Sequence, residues 1–194
     1  MKIQNKLSAL LLLTFLASII IIFSVERTVS AETAFNLTPE QLRNNFNGWM
    51  YRTLAEVYAK KNDTSALNSA ISVLSMGKFI EKKEDNVHCF AYKFEHIPRE
   101  LTFMGFTNVN TNKVTKALVM YEVDEEFLSL AITVWYATIN SISPEANSKE
   151  IIHVLISNVK ESPDKKADLT LGDVKYSLSA KGRVFLLVVS PNES

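Results

Sequence analysis

Glycine is scarce in this chain, with 5 among 194 residues. A phosphate-cradling loop needs several glycines within a few positions, so nucleotide chemistry is set aside. Cysteine is scarcer still. Cys89 stands alone, which excludes an intrachain disulfide and leaves the fold to rest on its core. Histidine occurs three times, at His88, His96 and His153. A zinc site wants two or three such side chains converging with Cys, Asp or Glu at short spacing, and no such spacing is present. No excess of either charge exists, since 21 basic residues face 21 acidic ones. That balance argues against a nucleic-acid partner and against electrostatic recruitment to an anionic membrane.

Apolar sequence is concentrated at the start. Lys2 and Lys6 precede Leu7 to Val25, nineteen residues interrupted by Ser8, Thr14, Ser18 and Ser24. Glu26, Arg27 and then Val29-Ser30-Ala31 follow. A positive end, an apolar run and small residues before a cut form the order of a secretory signal peptide, with cleavage expected after Ala31. The apolar run exceeds the roughly 7–15 residues usual in such leaders and approaches the ~20 of a spanning helix. A retained anchor at residues 7–25 is therefore the second reading. Both readings place residues 32–194 outside the cytoplasm, periplasmic or secreted. No cysteine ends the apolar run, so a lipid anchor is not supported.

Residues 32–194 read as one domain of 163 residues, enough to bury a sizeable core. Without Lys2, Lys6, Arg27 and Glu26 it holds 18 basic and 20 acidic residues. Thr38-Pro39-Glu40-Gln41 opens a helix, with Thr38 as N-cap, Pro39 at the first position and Gln41 completing a capping box. Leu42, Phe46, Trp49, Thr53 and Val57 fall on one stripe, widened by Met50 and Leu54. Lys60 to Asp63 ends it. Ile71 to Ile80 suits a strand with an irregularity near Gly77, and Glu81 to Asn86 a solvated charged turn. In Val87 to Glu95, His88, Phe90, Tyr92 and Phe94 alternate with Cys89, Ala91, Lys93 and Glu95, so one face of this strand is aromatic.

His96-Ile97-Pro98 is a connection to a strand at Arg99 to Asn108. Asn110 to Lys113 is a turn rich in residues that tolerate positive φ. Val114 to Val123 is the next strand, and the three strands predict an antiparallel meander. Asp124 caps a second helix through Phe127, Leu130, Val134 and Ile139. Ser143-Pro144-Glu145 starts a third, with Ile151, Ile152, Leu155, Ile156 and Val159 inward. Lys160 to Lys166 is a charged loop. Val174, Tyr176, Leu178 and Ala180 alternate with polar residues. Lys181-Gly182 makes a hairpin turn, and Val184 to Val189, apolar on both faces, suits a central strand. Helices and strands come in blocks. The predicted fold is therefore α+β: an N-terminal helix, a β-meander of three or four strands, two helices and a C-terminal hairpin, with helices on one face of the sheet.

Catalytic chemistry is thin. Cys89 with a histidine is the one nucleophile–base pairing that can be written down, and no positive cluster accompanies it to lower the thiol pKa. His88 and Cys89 are adjacent on a strand and point to opposite faces. Glu150 and His153 share a helix face. No Gly-x-Ser-x-Gly elbow occurs, and Asp124-Glu125-Glu126 is explained by capping. No catalytic, cofactor or metal residue is therefore assigned. Asn36-Leu37-Thr38, Asn62-Asp63-Thr64 and Asn192-Glu193-Ser194 match the glycosylation sequon. The expected function is a non-catalytic binding or inhibitor-like domain acting on a protein partner. The alternatives are a membrane-tethered accessory subunit, an enzyme with a dispersed site, and a small-ligand carrier lined by Phe90, Tyr92 and Phe94.

Overall fold

The first helix, α1 (Pro39–Ala59), begins where its free amides find side-chain acceptors. Gln41 N donates to Thr38 Oγ1 at 3.2 Å, and Thr38 N donates to Gln41 Oε1 at 2.9 Å. This is the reciprocal capping box expected from the sequence. The computed structural model describes residues 33–59, 64–84, 87–94, 101–122 and 128–192. The leader and its cleavage site, the helix end at Lys60 to Asp63, the connection at His96 to Pro98 and the cap at Asp124 lie outside the described residues. Residues Thr33–Ser194 form one compact unit.

Leu42, Phe46, Met50 and Leu54 carry the buried face of α1, while Val57 is 48% exposed. The inward arc is thus turned from the expected stripe toward Met50 and Leu54. The cause is that α1 packs on the core side of the sheet and also against α2 (Thr64–Leu74) and α3 (Leu128–Ile142).

Helix α2 corrects the strand expected from Ile71. Leu67, Ala70, Ile71 and Leu74 recur at helical spacing and pack against the core. Burial of that face on α1 outweighs the strand preference of Ile71 and Val73. Asn47 on α1 then fixes the exit from α2. Its Oδ1 accepts from Met76 N at 2.7 Å, and its Nδ2 donates to Met76 O at 2.8 Å.

The charged stretch expected as a turn is mostly a strand, β1 (Ile80–Glu84), exposed along its length. It pairs antiparallel with β2 (Val87–Lys93), placing Lys82 opposite Cys89. Alternation puts Lys82 and Glu84 on one face, 2.8 Å apart, and Glu81 and Lys83 on the other, 3.8 Å apart. Charges on both faces of a sheet edge discourage pairing with other chains.

β3 (Leu101–Thr107) and β4 (Val114–Glu122) complete the expected meander. Asn112 takes φ 53° in the turn between them. After α3 comes α4 (Ser148–Glu161), which starts later than Ser143. Asn147 is its cap, accepting from Glu150 N at 3.3 Å. Ser143 is otherwise engaged, since its Oγ accepts from Tyr176 Oη at 3.0 Å and its carbonyl from Ala146 N. Ile151, Ile152, Leu155 and Val159 face inward as expected.

β5 (Lys166–Leu171), β6 (Val174–Lys181) and β7 (Val184–Pro191) form a second meander. The sheet runs β1-β2-β3-β4-β7-β6-β5, all neighbours antiparallel. Seven strands exceed the expected number, because β1 and β5 carry too much charge and polarity to announce themselves. The α+β class holds.

The core lies between sheet and helices and is strongly aromatic. Phe46 approaches Phe94 and Phe103 at 6.2 and 6.3 Å between centroids. Phe79 meets Phe90 with ring centroids 4.8 Å apart and the rings tilted by 51°. Phe90 lies over its cross-strand neighbour Gly105, whose hypothetical Cβ would sit 2.1 Å from Phe90 Cζ. Only a residue without a side chain leaves room for that ring. Gly105→Ala therefore lowers stability by about 1–3 kcal/mol through overpacking, read as a shifted urea midpoint, and Phe90→Leu in the same chain recovers part of the loss.

Candidate functional site

Among the described residues, Cys89 is kept apart from His88 and His153. Cys89 is a free, half-buried thiol on β2. It sits opposite Phe106 and Lys82, on the sheet face away from Phe90. Burial pushes its thiol up, and the nearby Lys82 ammonium only partly opposes this. His88, the preceding strand residue, points to the other face. His153 is exposed on α4. Its helix neighbour Glu150 instead accepts from Asn147 Nδ2 at 3.2 Å. His96 lies outside the described residues. Among the described residues no group of three or more His, Cys, Asp or Glu is placed to hold a metal ion.

Two other perturbed groups have structural partners. Asp168 is partly buried, which raises its pKa, but hydrogen bonds from Ser177 and Lys175 outweigh this and hold it below its ordinary value. Its Oδ2 is 3.2 Å from Lys175 Nζ. Burial raises the Tyr176 phenol, opposed by its hydrogen bond to Ser143.

The aromatic strand turns its rings into the core. Phe90 and Phe94 are core residues at 2% and 1% exposure. Tyr92 packs edge-on against Phe94 with centroids 5.1 Å apart, and its hydroxyl donates to Ser75 O at 3.2 Å.

A different concavity is present, on the helix layer. The floor is α1, through Leu54, Val57 and Tyr58. One wall is α2, with Ala66, Ser69, Ala70 and Val73. The facing wall is α3, with Ser129, Leu130 and Thr133. The groove encloses about 800 Å³. Among the described residues no Asp, Glu, Lys, Arg or His lines it. Both wall helices lack charged residues along their entire described length. Two hydroxyl donors of the lining are satisfied within their own helices. Ser69 Oγ donates to Ser65 O at 3.1 Å, and Thr133 Oγ1 donates to Ser129 O at 2.8 Å. Sequence reading passed over this groove because it treated Ile71 onward as strand. The available signal was the charge-free stretch Thr64 to Gly77, paired with another at Phe127 to Pro144.

The second face of the sheet is also apolar at its centre. Met104 pairs with Leu118, and Leu118 with Val188. Thr102, Met104, Leu118 and Met120 are buried, yet none belongs to the core beneath the helices.

No protein-family model matches the chain, and no curated protein or solved structure matches it. Among the described residues no helix is long and apolar enough to cross a membrane.

The raised Cys89 pKa predicts slow alkylation. The iodoacetamide rate plotted against pH has a higher midpoint in the native protein than in the urea-unfolded chain, whose thiol titrates near ~8.5. A lower native midpoint would restore Cys89 as a candidate nucleophile.

Proposed function

We propose that residues 32–194 act outside the cytoplasm as a non-catalytic binding domain for a protein partner. The observation that carries this reading is the groove between α1, α2 and α3. It is concave and its described lining is largely apolar, with no Asp, Glu, Lys, Arg or His, which suits recognition by shape and desolvation. Val57 supports the same reading, because an aliphatic side chain half exposed on the floor of a groove gains from being covered. The separation of Cys89 from His88 and His153 gives an enzymatic reading less support.

The leader at residues 1–31 supplies the route out of the cytoplasm in this proposal. A second reading keeps Leu7 to Val25 as an anchor and makes the protein a membrane-tethered accessory subunit. It is favoured by the nineteen-residue apolar run, close to the ~20 residues a span requires.

Fractionation of the producing cells, with intact-mass measurement of the chain in each fraction, tests the proposal. A chain beginning at Glu32 in the periplasm or medium is the expected result. An intact N-terminus in the membrane fraction selects the tethered form. A chain confined to the cytosol overturns both.

A further inference from the structure

We propose that the outer edge of β5 joins a second copy of this chain, strand to strand and antiparallel about a two-fold axis at Leu169, so that two sheets become one. This inference goes beyond the groove and stands independently of it.

The backbone of β5 turns outward at every second residue. β5 is the last strand of the sheet and pairs with β6 alone. Leu171 faces Val174 across the two-residue turn Gly172-Asp173, with Gly172 at φ 60°. Such a turn closes on a pair that exchanges both backbone hydrogen bonds. Alternation then directs the N–H and C=O groups of Ala167, Leu169 and Leu171 to β6, and those of Lys166, Asp168 and Thr170 to the outside. The bond from Ala180 N to Lys165 O, 2.8 Å, fits the same alternation.

The two edges of the sheet are guarded differently. β1 carries charge on both faces. β5 carries charge on one face, at Lys166 and Asp168, and has neither a proline nor a bulge. Its helix-side row is Ala167, Leu169 and Leu171, and Leu171 is 46% exposed. An edge of this kind is a template for another strand.

The sequence of β5 fits itself. Antiparallel pairing matches outward residues with outward residues, which restricts the register. A two-fold at Asp168 would set two carboxylates directly opposite each other. One at Ala167 overlaps only Lys166 to Asp168, because Lys165 leaves the strand at φ 55°. One at Thr170 overlaps only Leu169 to Leu171. One at Leu169 overlaps Ala167 to Leu171 of both copies. Each Asp168 then faces a Thr170 hydroxyl and keeps its own Lys175 at 3.2 Å. Leu169 meets Leu169, and Ala167 of the second copy covers Leu171. The pairing supplies about four backbone hydrogen bonds. Helix α4 lies over β5 and β6, and the two-fold keeps both copies of α4 on one side of the joined sheet. With ~4.8 Å between strands, the two helices come to roughly 10 Å, a packing distance for helices. A lone peptide strand would bring the backbone bonds but no second helix.

The test uses the chain as purified from the cells that make it, with its mass in solution measured by light scattering over a concentration series. The expected result is twice the mass of the single chain. Thr170→Pro removes an outward N–H and leaves the bonds to β6 in place. It raises the dimer dissociation constant by about tenfold or more, whereas Thr170→Val, which keeps the N–H, leaves it within about twofold. Leu171→Asp, at an exposed position, weakens the dimer similarly by burying a charge against Ala167 of the second copy. It decides the matter should Thr170→Pro fail to fold by circular dichroism. In a Cys89→Ser background, Leu169→Cys oxidises to a disulfide between copies, because directly opposed residues of this kind have Cα atoms about 4.5 Å apart. Lys82→Cys on β1 does not. A single-chain mass at every concentration overturns the proposal. So does a dimer that Leu171→Asp leaves intact, or one that crosslinks through Lys82→Cys rather than Leu169→Cys.

Discussion

The pairing of β4 with β7 joins two halves of the molecule that would otherwise be separate small sheets. It runs from Ala117 opposite Val189 to Glu122 opposite Val184. On one side lies the meander β1–β4, and on the other the meander β5–β7. Each half is locally connected, but this seam closes a long loop that contains both α3 and α4. Apolar residues on both faces of the seam offset the entropy of that closure. Ala117, Val119, Leu187 and Val189 point to the helices, and Leu118 lies on the opposite face. A continuous seven-stranded floor then exists for the helices to cover.

The helix layer follows from that floor. Helix α1 lies over the aromatic half of the sheet through Phe46, near Phe94 and Phe103. Helix α3 reaches the seam, where Trp135 meets Phe185 at 6.1 Å. Helix α4 covers β5 and β6. Helix α2 packs on α1 at one margin of the layer. The groove arises because α2 and α3 flank the C-terminal part of α1 while Val57 and Tyr58 remain accessible between them. Ser69 and Thr133 on the walls turn their hydroxyls back onto their own helices, which leaves the surface they share with Leu130, Ala66 and Ala70 more apolar. The concavity is thus a by-product of how three helices share one sheet.

Elements that carry their own local instructions were legible from residues alone. Thr38 and Gln41 announce the start of α1, and Phe90 with Phe94 announces the inward face of β2. Asn112, Gly182 and the alternation from Val174 to Ala180 behave as their chemistry requires. Where the sequence misled, a distant partner decided. The β-branched residues of Ile71 to Val73 suggest a strand until α1 supplies a surface for a helix. Ser143 looks like a cap until Tyr176 takes its hydroxyl, and Asn147 then caps α4. The charges of Glu81 to Glu84 look like a turn until β2 lends a hydrogen-bonding edge.

By itself, then, the sequence determined the α+β class, the N-terminal helix with the three-stranded meander β2–β4, and the face the aromatic strand β2 turns inward. These depend on spacing, capping and alternation, which act over a few residues. Tertiary structure alone decided the seam between β4 and β7, the helical state of Thr64 to Leu74 and the groove. Each of these joins segments far apart in the chain, and hydrophobic burial does not specify its partner until the surfaces meet. The separation of Cys89 from His88 belongs to the first group, since neighbouring strand residues face opposite ways. The uncharged walls belong to both, because composition provides them and packing sets them across from one another.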